Sequence, residues 1–365
     1  MLSQTSLKRT PLYNEHLKLN AKMVSFGGWE MPVQYEGIIK EYHNTRKGVS
    51  VFDISHMGEF IVEGDPEKSG LDNIVTPSIL NLPIKSCRYG TMLNDQGGVI
   101  DDLIVFRISK EKWMIVVNGA TMGKDEKHFQ KHITSCGTFS NISDKIGKLD
   151  IQGPQSRDVL SSWIKGIEKL DYYTFDEFDC LGENVIISRT GYTGELGYEI
   201  YFPWDKTTVL WQECLRKDIK PAGLGVRDIL RIEMGYSLYG HELEETISPL
   251  DAGLNRFIDW EKDFIGKKSL LKEKEAGVKR KVVAFISDSR RSPRKGHKIY
   301  DQGKAEIGHV SSGTFSPSLI KGLGLGFVQK ASCSVGDKIL FGDENNKVSA
   351  VIAKKPIYSY GSLKK

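Results

Sequence analysis

The 365-residue chain carries 51 basic and 47 acidic residues, a net charge of +4, with 39% hydrophobic and 27% charged residues. This is ordinary globular composition, long enough for two or three cores and too weakly basic to point to nucleic acid. Five cysteines (Cys87, Cys136, Cys180, Cys214, Cys333) lack Cys-x-x-Cys spacing, which speaks against a structural zinc site and a disulfide framework. No apolar run is long enough to span a membrane, and the first eleven residues lack the apolar core of a secretory signal. The expectation is a soluble, cytoplasmic protein with reduced thiols.

Along the chain, residues 59–63 read as a strand between turn signals. The run Gly97-Gly98-Val99-Ile100-Asp101-Asp102-Leu103-Ile104-Val105-Phe106 then sets two adjacent carboxylates between a glycine turn and an apolar strand. Strand neighbours point to opposite faces, so one aspartate can face the interior while the other faces water or caps the turn. Taken alone, the pair reads most simply as a turn closed by side-chain hydrogen bonds. Residues 113–117 form another strand pattern. His128 and His132 have metal-ligand spacing on a helix but sit among lysines without a zincin glutamate, so they read as a solvated face.

Residues 147–151, 184–188 and 198–202 read as strands, and residues 155–163 as a helix following Gly153-Pro154. Between the last two strands, three glycines, two tyrosines and two glutamates crowd into residues 189–200. The bland reading is a hairpin with Glu195 at its tip. Glu199 is harder to dismiss: it shares a strand face with Tyr201, opposite Tyr198, Ile200 and Phe202. A strand carboxylate beside aromatic rings suits a flat heterocycle presenting two N–H donors.

Residues 207–215 and 226–236 are amphipathic helix candidates. The second carries Arg227 and Arg231 four apart on one face, suited either to surface pairing with Asp228 or Glu233 or to a carboxylate or bound anion. A charged stretch over residues 272–281 reads as a solvated boundary. Beyond it, short strand patterns and glycine turns predict a separate small β-barrel or sandwich from about residue 280. Gly322-Leu323-Gly324-Leu325-Gly326 lacks the following helix and acidic partner of a dinucleotide site. Ser55-His56 shows no nucleophile elbow.

In this order and spacing, several segments resemble the aminomethyltransferase family, the T-proteins of the glycine cleavage system. They are residues 8–13 and 22–35, Val51-Phe52-Asp53-Ile54-Ser55-His56-Met57-Gly58, the Asp101-Asp102 run, Val116-Val117-Asn118, Ile151-Gln152-Gly153-Pro154, residues 191–199 and 221–228, Leu238-Tyr239-Gly240 and Thr314-Phe315-Ser316-Pro317. The resemblance implies an α+β protein with three domains in a clover-leaf around a central folate channel, ending in the β-barrel. The implied division is a folate-binding core over residues 1–50 and 145–275, a segment carrying the catalytic aspartate over 51–144, and the barrel over 280–365.

The resemblance also implies the reaction: transfer of a methylene carbon from the aminomethyl-loaded lipoyl arm of the H-protein to tetrahydrofolate, without a metal. Asp102 matches the catalytic aspartate, leaving Asp101 the turn role. Glu199 matches the residue that pairs with the pterin edge, and Arg227 a folate-site arginine. Met57, Tyr89, Asn118, Tyr172 and Tyr192 match positions lining the pterin and its linker, and Tyr358 and Tyr360 the channel mouth. The chain departs from many relatives at Asn255-Arg256-Phe257, where an aromatic is expected, leaving Arg256 to meet the folate tail's carboxylates. Two alternatives share the fold: a folate-dependent demethylase needing no lipoyl carrier, and a non-catalytic folate-binding iron–sulfur assembly factor. The latter carries a cysteine where this chain has Gly191.

Overall fold

The computed structural model describes residues 6–364; residues 1–5, part of the start read above, and residue 365 lie outside it. Four sheets organise the described chain. A small one joins Lys8–Arg9, Trp29–Gln34 and Lys22–Phe26. A five-stranded sheet runs in the order Cys87–Leu93, Val99–Arg107, Lys112–Val117, Gly58–Glu63 and Thr138–Asn141. A six-stranded sheet orders Phe175–Cys180, Glu183–Ser188, Gly197–Pro203, Ile146–Gln152, Ser50–Asp53 and Lys220–Pro221. The last six strands, from Arg280–Ser287 to Asn346–Ala353, close into a barrel. The α+β class and the terminal barrel are therefore as expected.

Alternation explains how the bodies join. In the first barrel strand Val283 and Phe285 point inward among Ile299, Val310, Ile339 and Phe341, whereas Ala284 points outward to Ile232 together with Leu323 and Leu325. Ile232 lies on helix Leu224–Met234, whose other side buries Val226, Ile229 and Leu230 against Tyr42, Phe52 and Ile54. One helix thus packs on the barrel and on the N-terminal half of the chain at once. The two large sheets meet through Cys87, Phe106, Met114 and Val116 on one side and Phe175 and Tyr201 on the other.

One expectation needs correction and one element was not foreseen. The helix after Gly153-Pro154 is short, Ser156–Ser161. The charged boundary, read only as solvated, is entered by helix Lys267–Ala276, a helix not foreseen, anchored by fully buried Leu270. Its surface is almost all charged, so a single apolar anchor was too weak a periodic signal. Gly322 to Gly326 lie within barrel strand Lys321–Gln329.

Candidate active site

The space between the two large sheets collects the polar groups. On strand Val99–Arg107, Asp102 shares a face with Ile104 and Phe106, which pack toward Tyr201 and Phe175. On the facing sheet, Glu199 alternates with Tyr201, and Lys148, Asp150 and Gln152 alternate with Ile146. Both carboxylates, Asp102 and Glu199, therefore open toward the same interior.

Asp102 is held on both oxygens. Tyr89 donates its hydroxyl to Oδ2 at 3.0 Å, and Asn118 Nδ2 lies 2.8 Å from Oδ1. Burial, and then the charge of Asp101, push the Asp102 carboxyl up to about 7. The Tyr89 hydroxyl is in turn held well above its ordinary range by burial and by Asp102. Phe257 packs edge-on against the Tyr89 ring, centroids 4.8 Å apart, with the Arg256 guanidinium 4.6 Å from the Phe257 centroid.

Glu199 sits across the ladder from Asp150 and accepts from the Thr190 hydroxyl at 2.6 Å. Asp150 accepts from Arg227 and, at 2.6 Å, from Gln152. Burial raises Asp150 to about 7; Arg227 pulls it down and Glu199 pushes it up. The Arg227 guanidinium also lies 5.0 Å from the Tyr192 centroid, and Tyr192 stacks on Tyr236 with centroids 5.6 Å apart. The glycine-rich segment makes this possible: a Cβ on Gly197 would stand 2.0 Å from Gln152 Nε2, so only glycine lets Gln152 cross there.

Hydrogen bonds and ring contacts thus join two sets of the expected residues: Asp102, Tyr89 and Asn118, and Glu199 and Arg227 with Tyr192. Met57 packs into the apolar seam between the sheets. Tyr172 is half-buried against Tyr173, at 4.8 Å. Tyr360 is 79% exposed and meets Tyr358 edge-on at 5.7 Å, which leaves it outside the joined group.

Three readings change. Asp101 is no turn residue: it is fully buried and accepts from the Asn118 backbone and side chain, both at 2.9 Å. The turn is closed by Asn94, whose Oδ1 accepts from Gln96 and Gly98, with Gly97 at φ +84°. Glu195 is not at an exposed tip but buried on Arg46 at 2.6 Å and on Ser362. Arg231 is buried too, bonded to Asp228 at 2.8 Å, Glu242 at 3.0 Å and Ser312 at 2.8 Å. Sequence reasoning missed Asp150 and Thr190. Lys148, Asp150 and Gln152 alternate like a solvent-facing strand edge, yet all are fully buried, Lys148 beside Glu59 of the facing sheet and Asp150 and Gln152 beneath Arg227, Thr190 and Thr193.

Two family models match in tandem: the GCVT N-terminal domain over residues 12–262, and the glycine cleavage T-protein C-terminal barrel domain over residues 280–359. The crystal structure of glycine cleavage system aminomethyltransferase T from Bartonella henselae superposes with a TM-score of 0.92, at 31% identity, covering 98% of this chain and 99% of that one. Fold and site thus define a glycine cleavage T-protein. Curated aminomethyltransferases are similar along the whole length: that of Pseudothermotoga lettingae is 42% identical, covering 98% of this chain and 99% of its own. That of Caldanaerobacter subterraneus subsp. tengcongensis is 41% identical, covering 98% and 97%. The chain belongs to the aminomethyltransferase family and is an enzyme of the transferase class. None of its described helices is long and apolar enough to cross a membrane.

Proposed function

We propose that this enzyme transfers the methylene carbon of an aminomethyl group, carried on the dihydrolipoyl arm of the H-protein, to tetrahydrofolate, working in the cytoplasm. Ammonia leaves and 5,10-methylenetetrahydrofolate forms. The observation that carries the reading is Asp102, partly open to the inter-sheet space and held on both oxygens by Tyr89 and Asn118, with Glu199 opening into the same space.

In the transfer, the methylene carbon loses its bonds to sulfur and to the amino nitrogen and gains bonds to N5 and N10 of the folate. The two protons given up by N5 and N10 go to the thiol of the dihydrolipoyl arm and to the departing ammonia. Ionised Asp102 orients the attacking amine, receives a proton from it and stabilises positive charge developing at the carbon. Glu199, fixed by Thr190, has a bidentate acceptor edge for the pterin's amino group and N3–H. Arg227 braces this side through Asp150, while Met57, Tyr89, Asn118, Tyr172 and Tyr192 line the ring and linker, with Tyr360 at the mouth. Arg256, lying on Phe257, meets the tail carboxylates.

The test supplies the protein with tetrahydrofolate and aminomethyl-loaded lipoyl carrier and follows ammonia and methylenetetrahydrofolate. Absence of both products at saturating carrier overturns the reading. Glu199→Ala should weaken folate binding by about tenfold or more, because pterin donors would be left unpaired.

A further inference from the structure

Behind Asp102, on the opposite face of the same strand, Asp101 meets a second carboxyl, that of Asp125 on helix Met122–His132. Both residues are 0% exposed. Asp101 has donors: the Asn118 backbone N–H on Oδ2 and the Asn118 amide on Oδ1, each at 2.9 Å. Asp125 has none, for both its oxygens lie buried without a hydrogen-bond donor. The nearby hydroxyl, Thr121 Oγ1, stands beside both carboxyls and 3.1 Å from the Asn118 carbonyl, with a single proton for these acceptors, so it cannot satisfy the pair. The neighbouring cation, Lys124, turns outward to Tyr239 at 2.6 Å and Glu245 at 2.8 Å.

Two ionised carboxylates can only accept, and side by side in the interior they repel. Their meeting is stable when one carries a proton and donates it to the other. We propose that Asp125 is a positioning residue of the transfer reaction: it holds a proton, donates it to ionised Asp101, and through Asp101 and Asn118 fixes Asp102.

The chain of bonds has a direction. Asp125 donates to Asp101, and Asp101 also accepts from both nitrogens of Asn118, which orients the amide. The same Nδ2 lies 2.8 Å from Asp102 Oδ1 and 3.2 Å from the Asp102 carbonyl. An amide turned by half a rotation would set its own oxygen against three acceptor oxygens, so Asp101 decides which atom Asp102 meets. Burial, followed by the Asp101 charge, raises Asp125 to about 10, in keeping with a proton retained at neutral pH.

Infrared spectroscopy of the ligand-free enzyme carrying carbonyl-labelled aspartate tests the proton directly. In alkaline buffer, the isotope-shifted C=O stretch of a neutral aspartic acid should persist in the wild type and in Asp102→Asn and vanish in Asp125→Asn. A band that survives Asp125→Asn places the proton elsewhere and overturns the proposal. The kinetic arm rests on the proposed transfer reaction. Asp125→Ala should lower kcat by about tenfold or more with the folate KM little changed, and Asp125→Asn, which retains an N–H donor toward Asp101, should restore most of it. Wild-type turnover in Asp125→Ala would also overturn it. If Asp125→Ala fails to fold, the isosteric Asp125→Asn and its spectrum still decide. Failure of every form, wild type included, to turn over would count against the transfer reaction and leave the infrared result standing.

Discussion

The Asn118 amide nitrogen lies 2.8 Å from Asp102 Oδ1 and 2.9 Å from Asp101 Oδ1, tying together two carboxylates that leave one strand on opposite faces. Asp102 thereby has a fixed orientation toward the inter-sheet space, with Tyr89 closing its other oxygen at 3.0 Å. A carboxylate held in advance needs little reorganisation when positive charge develops beside it.

Asp102→Asn is nearly isosteric and removes the proposed proton acceptor. Turnover should fall by about 100-fold or more, the usual scale of general acid–base catalysis, with the folate Kd within a few-fold of wild type. Paired steady-state kinetics and fluorescence titration check this. Collapse of binding without loss of turnover per bound complex would make the residue structural.

The pH dependence follows from the raised carboxyl. Asp102 is protonated below about 7 and ionised above it, because burial and then Asp101 disfavour its charge. Since the proposed chemistry uses the ionised form, kcat/KM should climb as pH rises through about 7 and then level. A profile flat across that range would rule out Asp102 as the proton acceptor.

Glu59 gives a stability prediction with a definite sign. It is raised to about 7 by burial, against the pull of Lys148, whose amine lies 3.5 Å away. With the folded value above the unfolded one, the folded state binds the extra proton. Its contribution is therefore complete below the unfolded pKa and lost as pH rises to about 7, on the order of 3 kcal/mol. Urea titrations over a pH series should show a shallower decline for Glu59→Gln than for wild type.

Arg227 and Asp150 form an ion pair in which the aspartate side chain is 0% and the arginine 14% exposed. Arg227→Met leaves that carboxyl buried without its cation and should cost about 3 kcal/mol. Adding Asp150→Asn should recover much of the loss, since the charge needing compensation is gone. Equal stabilities of the single and double variants by urea denaturation would show no coupling.

Gly197→Ala tests the packing beneath the site. Its Cβ would stand 2.0 Å from Gln152 Nε2, and the displaced amide would break its bonds to Asp150 and the Thr190 carbonyl. A loss of about 3 kcal/mol, read from the thermal unfolding midpoint, is expected.

Much of this was legible in one dimension. Residues 113–117 form a continuous apolar, β-branched run, as a strand buried on both faces requires, and the face shared by Glu199 and Tyr201 follows from a period of two. The barrel after residue 280 showed in its short strands and turns. Local rules failed where distant chain supplied the environment. Asp101 looked like a turn residue because its partners, Asn118 and Asp125, lie 17 and 24 positions on; Glu195 looked exposed because Arg46 and Ser362 stand far from it in sequence.

The sequence by itself determined which residues alternate, where the barrel begins, and that Asp102, Glu199 and Arg227 belong to a family's pattern. Only the tertiary structure decided that Asp150, Lys148 and Asp125 are interior and that Asp101 faces away from the site. The physical reason is that periodicity assigns side chains to faces but carries no information about what covers each face. Burial, which raises the Asp102, Asp125 and Asp150 carboxyls, is conferred by the sheet or helix that packs on top.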